Sequence, residues 1–152
     1  MANIVFNIGK GRVAELYRRV KFADPATAAL VLVPIETAGL ETDAVLIDTA
    51  TLSALVAGTT NEQTTMGRKV LVAADIAAFP APDNTNDRME VSLPTAIWTA
   101  ATGNAISKIA VCYRNAVTDA DTAIIPLTMF DFSQTPSGAD IQMTTGIFYR
   151  AA

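Results

Sequence analysis

From Arg88 to Arg150, bulky apolar residues alternate with polar ones in short runs, and Asp, Asn, Gly and Pro separate the runs. A two-residue period bounded by turn formers predicts strands with one buried face. Met89 to Leu93, Ala96 to Thr99, Ile106 to Tyr113, Ile124 to Phe132 and Ile141 to Tyr149 are such runs. Pro94 separates the first two, and Pro126 predicts an edge or a bulge in the fourth. In the third, alternation places Ile106, Lys108, Ala110 and Cys112 on one face, with Ile109, Val111 and Tyr113 on the other.

The first half is less regular. Asn3 to Ile8 is β-prone and ends at Gly9 and Gly11. Between Arg12 and Lys21 two periods coexist. Val13, Leu16, Tyr17 and Val20 stand at helical spacing, while Val13, Glu15, Tyr17 and Arg19 also fit one face of a strand. The helical spacing is favoured over the strand. Leu30 to Ile35 is a continuous apolar run, as in a buried strand, and Pro34 predicts that this strand is an edge or ends there. Asp48 suits a helix N-cap, with Leu52, Leu55 and Val56 on one face and Gly58 as the stop. Thr59 to Thr65 reads as a loop, Gly67 to Ala73 as a strand and Asp75 to Phe79 as a short helical turn.

Turn spacing of about 8–12 residues predicts a mainly β fold, a jelly-roll-like sandwich or small barrel carrying one or two short helices. The 152 residues are expected to form one domain, with no internal repeat or linker in the sequence, and residues 1–10 are a candidate N-terminal arm. The apolar ends, Ile4 to Ile8 and Ile147 to Tyr149, either pair in one sheet or form an edge that joins another subunit.

Composition sharpens this picture by what it lacks. There is no His and one Cys, and charged residues make up 17% of the chain against 51% apolar. So few charges leave either a well-buried β-protein or a surface covered by a partner. Cys112 lies in the apolar run from Ile109 to Tyr113 and reads as a buried small hydrophobe with no histidine to activate it. A zinc or iron site is not expected from one Cys and no His. Asp83, Asn84, Asn86 and Asp87 are the nearest to a calcium loop, but the Gly and terminal Glu of that motif are missing. Glu36, Glu41 and Asp43, and the pair Asp119 and Asp121, are candidate carboxylate pairs for hydrolysis or plain solvated loops. Trp98 is a candidate sugar-stacking platform or a core residue. With a net charge of −4, nucleic-acid binding is not expected. The cationic clusters are Arg12, Arg18, Arg19 with Lys21, and Arg68 with Lys69; the first suits contact with an acidic protein. The glycine spacing around Lys10 does not fit a phosphate loop. No signal peptide or membrane span is expected, so synthesis in the cytoplasm is.

Several phrases, in order, resemble small virion proteins of tailed double-stranded DNA phages. They are the opening MANIVFNIGKGRV at 1–13, NEQTTMGRK at 61–69, DNTNDR at 83–88 and WTAATGNAI at 98–106. IIPLT at 124–128 with DF at 131–132, and the closing FYRA at 148–151, complete the series. The nearest kind is the capsid cementing, or decoration, protein of podophage-type heads. The resemblance implies a jelly-roll-like domain on the outside of an icosahedral shell, self-associated as a dimer or trimer and bridging neighbouring major capsid subunits. It implies no catalytic residues, no cofactor and no membrane partner. On this basis Arg12, Arg18, Arg19 and Arg68 are expected to pair with acidic capsid surface. Ile4, Phe6, Phe148 and Tyr149 are the expected apolar contacts, and removal of residues 1–8 is expected to leave a folded domain. A head–tail or tail component is the alternative in the same class. A carbohydrate-binding β-sandwich on the virion is the alternative outside it.

Overall fold

A computed structural model describes residues 4–151. Its centre is a five-stranded antiparallel sheet with strand order β1-β7-β6-β2-β3. The strands are β1 (Ile4–Val5), β2 (Ala29–Glu36), β3 (Lys69–Leu71), β6 (Ile106–Arg114) and β7 (Ile125–Gln134). β2 is a near-continuous apolar run because both its faces are covered. Leu30 and Leu32 join one core, while Val31, Val33 and Ile35 join the other.

The first core is closed by helix α1 (Val13–Lys21) and by a long two-stranded ribbon. The ribbon pairs β4 (Met89–Leu93) with β9 (Gly146–Ala151), then β5 (Ala96–Trp98) with β8 (Ile141–Met143). Pro94 and Thr95 interrupt one side, Thr144 and Thr145 the other, and the hydroxyls of Thr95 and Thr145 meet at 3.2 Å. The run from Ile141 to Tyr149 is therefore two strands, not the single one that alternation predicted. Both sides break at the same place, which lets the ribbon bend over the sheet. Val91, Leu93, Trp98, Ile141, Met143 and Phe148 point into this core.

The second core lies on the opposite face, under α2 (Asp43–Leu46), α3 (Leu52–Leu55) and the segment after β1. Phe6, Leu46, Leu52 and Leu55 pack there on Val31, Val33, Ala110, Cys112 and Met129. The architecture is a mainly β sandwich with helices on both sides. The sheets do not close into a barrel, so the small-barrel alternative does not hold. Three helices, not one or two, occur among the described residues.

The ambiguous segment from Arg12 to Lys21 is helix over Val13–Lys21. The buried residues of α1 are Val13, Leu16, Tyr17 and Val20, the i, i+3, i+4, i+7 set. Glu15 in its first turn and Arg18, Arg19 and Lys21 in its last complement the helix dipole. The expected helix from Asp48 forms later and is shorter. Thr51 is the N-cap of α3, its hydroxyl accepting from the Ala54 amide at 3.1 Å. Asp48 instead accepts from the Asn7 side chain. α2 was not predicted at all; one turn with a single buried residue, Leu46, carries no periodic signal.

Two strand expectations are corrected. β2 neither ends at Pro34 nor lies at the edge. The Pro34 carbonyl accepts from the Gln63 amide at 2.9 Å, so the missing N–H is on the side away from β6. β6 pairs through Pro34 and Ile109 undisturbed. In β6 a register shift between Ile106 and Lys108 turns Ile106 onto the face of Ile109, Val111 and Tyr113, against simple alternation. Near Pro126 the expected bulge is present, between the Val111 and Cys112 pairs.

The N-terminal segment, from Ile4 onward, is built into the fold. Ile4 and Val5 pair with Met129 and Thr128, and Phe6 has no exposed surface. A Cβ on Gly9 would stand 2.8 Å from the Leu127 carbonyl oxygen, so this turn lies directly on β7. The arm expected at 1–10 is thus no arm over its described part, because burying Phe6 fixes it; residues 1–3 lie outside the described residues. The two apolar ends do not pair with each other: β1 joins β7, and β9 joins β4.

Candidate interaction surface

The eight residues expected to make contacts fall into three groups. Phe6 and Phe148 are core. Phe6 fills the second core, and Phe148, 4% exposed, packs its ring 6.0 Å from that of Tyr17. Neither side chain is available as an anchor, because the layers of the sandwich consume both. Ile4 and Tyr149 are half-buried at the margin. Tyr149 lines a shallow recess of about 330 Å³ with Val5, Ile147, Phe148 and Arg150.

Arg68 is also spent internally. Its Nε and Nη2 donate to the Glu62 carboxylate at 2.7 and 2.6 Å, and its Nη1 and Nη2 donate to Asp121 at 2.7 and 2.8 Å. Two bidentate forks on one guanidinium leave little for a partner. The hydrogen bonds Arg68 donates to Glu62, then to Asp121, hold its pKa above the ordinary value despite partial burial. The same contact holds the Asp121 carboxyl below its usual range. Lys108 makes a second clamp, donating to Asp131 at 2.7 Å and lying 3.2 Å from Asp43 in the first turn of α2. Burial works against its charge, but the two carboxylates outweigh that and raise its pKa. These clamps tie loops and α2 to the sheet, and the candidate carboxylates take structural partners: Asp121 and Asp43 in the clamps, and Glu36 accepting from the Asn104 side chain at 2.9 Å. Asp119 caps the Asn115 and Ala116 amides, and Glu41 accepts from Thr60.

Trp98 is 1% exposed. Its Nε1 donates to the Gly67 carbonyl at 2.9 Å, and its ring meets Phe132 at 6.4 Å. The sugar-platform alternative for Trp98 does not hold: its faces are used by the core. Asp83 is the hinge of an Asx turn, accepting from the Thr85 and Asn86 amides and from the Asn86 side chain. Among the described residues, no cluster of three or more Cys, Asp or Glu is placed to hold a metal ion. No helix there is long and apolar enough to cross a membrane. Cys112 is fully buried, which pushes its thiol pKa up.

Among the described residues, two further recesses are open at the surface. One is an apolar cleft of about 370 Å³ where the ribbon bends, floored by Leu93, Phe130, Phe132, Met143 and Phe148. The other is the end of α1. Arg18, Arg19, Glu15 and Asp24 surround a recess of about 410 Å³ beside Phe22, which is 64% exposed. The Arg18 guanidinium sits 5.3 Å over the Phe22 ring. Arg12 occupies the N-cap position of the same helix, and makes no side-chain cap bond. Sequence reading found the arginines but missed Phe22; its place just past the last turn of an amphipathic helix, off the buried stripe, was the available signal. No family model, curated protein or solved structure matches the chain.

Proposed function

We propose that this protein is a structural component of a tailed-phage virion, binding the outside of an icosahedral head and bridging neighbouring major capsid subunits. The observation that carries the reading is the ordered series of phrases resembling capsid cementing proteins, which extends over nearly the whole chain. The geometry supports it in kind. Arg68, Lys108 and Trp98 are committed to holding layers together, while an apolar cleft and an aromatic–arginine patch stay open at the surface. The β-rich sandwich is compatible with the jelly-roll-like body such proteins have.

In this reading the work is mechanical. Each copy clamps a boundary between shell subunits through an interface of ordinary size, about 1,600 Å² in total. Self-association as dimers or trimers multiplies modest contacts by avidity. The test is to mix the purified protein with empty, undecorated heads of its own phage and image them by cryo-electron microscopy. Ordered density at symmetry or quasi-symmetry axes is expected. Bare shells overturn the reading, and density only at the tail vertex reassigns the protein to a head–tail connector.

A further inference from the structure

We infer that the exposed end of α1, centred on Arg18, Arg19 and Phe22, is the face that docks onto an acidic surface of a partner protein. The inference rests on the virion reading, which supplies that partner, a shell subunit. Four features of the patch carry it. First, its charge runs against the rest of the chain. Arg12, Arg18, Arg19 and Lys21 oppose only Glu15 and Asp24 along α1 and its cap, within a molecule of net charge −4.

Second, these arginines are not spent. Arg68, Arg88 and Arg150 each lie within 3.5 Å of a carboxylate of the same chain. Arg12, Arg18 and Arg19 make no ion pair among the described residues, and Lys21 is held by the Ala73 and Ile76 carbonyls. Third, Phe22 keeps 64% of its surface exposed at the helix end, with Arg18 stacked on it. An exposed aromatic beside arginines is the composition of an interface centre, where such side chains insert into pockets and contribute most of the binding energy.

Fourth, the carboxylates decide which class of partner fits. Glu15 and Asp24 line the same recess as the two arginines. A phosphate surface, of DNA or of anionic lipid, would confront them with like charge. A protein surface can set acids against Arg18 and Arg19, a donor against Asp24 and Glu15, and an apolar recess under Phe22. The helix that carries the patch is rigid, because its opposite face is the buried stripe of Val13, Leu16, Tyr17 and Val20.

The experiment compares the binding of four proteins to undecorated heads by co-sedimentation at low and raised salt. They are the wild type, Arg18→Glu, Phe22→Ala and the double variant Ala54→Glu/Ala57→Glu. The double variant changes net charge as much as Arg18→Glu does, on exposed positions of the opposite layer. Circular dichroism confirms that each is folded. Wild-type binding that weakens with salt, a loss of at least about tenfold in Arg18→Glu and in Phe22→Ala, and retention in the double variant are expected. Wild-type binding retained in Arg18→Glu and Phe22→Ala overturns the docking face and leaves the virion reading standing. Heads that bind no wild type overturn both. Binding of the wild type to duplex DNA or anionic vesicles, abolished by Arg18→Glu, overturns the protein partner and reassigns the face.

Discussion

Arg68 grips Asp121 through two parallel N–H···O bonds of 2.7 and 2.8 Å, joining positions 53 residues apart in the chain. The fork fastens the loop before β3 to the turn before β7, and a second fork holds Glu62 on the way. Arg68→Ala leaves the Glu62 carboxylate, 11% exposed, without its partner. A fully buried orphan charge costs about 3–5 kcal/mol. Partial exposure of Arg68 and Asp121 reduces that, and a loss of about 2 kcal/mol is expected from urea unfolding at neutral pH. The depressed Asp121 pKa gives the sign with pH. Its contribution is complete above the ordinary aspartate range, near pH 4, and is lost as pH falls through the lower folded value. Asp121→Asn therefore narrows the stability difference between neutral and acid solution; an unchanged acid slope would contradict the pairing.

Trp98 is the one tryptophan of the chain and joins the ribbon to the segment before β3. Its emission is expected to be blue-shifted and poorly quenched by acrylamide, becoming exposed only on unfolding. Trp98→Phe removes the bond to the Gly67 carbonyl and is expected to cost about 1–3 kcal/mol. Trp98→Ala also empties the space against Phe132 and is expected to cost about 3–5 kcal/mol in thermal or urea denaturation.

Phe6 changes what a truncation does. The resemblance to cementing proteins implies that residues 1–8 are separable, but Phe6 lies in the second core with Val33 and Leu52. Phe6→Ala is expected to destabilise by about 3–5 kcal/mol. Deletion of residues 1–8 is expected to broaden or abolish the cooperative melt, and a sharp melt at the wild-type temperature would refute this account.

Ala23 ends α1 in the left-handed conformation, at φ +51°. The Ala23 and Asp24 amides donate back to the Val20 and Arg19 carbonyls at 3.1 and 2.9 Å, the bond pair of a Schellman cap. Glycine is the residue that fits there without a Cβ penalty of roughly 1–2 kcal/mol. Its greater freedom in the unfolded chain offsets part of the gain. Ala23→Gly is expected to raise stability by about 0.5–1 kcal/mol, read as a higher melting temperature.

The chain's own pattern determined the elements whose signal is local. The 3.6-residue stripe of α1 survives intact because one helix face meets one core. The runs that became β2, β4, β6 and β7 announce themselves by apolar residues over at least five positions. The arginine cluster of the candidate interface was equally legible, since a solvated helix face needs nothing from the rest of the chain. Tertiary structure alone decided which face Ile106 takes, because a register shift is set by the neighbouring strands. It also decided that the final apolar run breaks at Thr144 and Thr145, where the bend of the partner strand at Pro94 must be followed. Phe6, Phe148 and Arg68 passed from expected contacts to internal ones for the same reason. Burial and ion pairing depend on which distant segments come together, and a linear pattern carries only what neighbours along the chain can enforce.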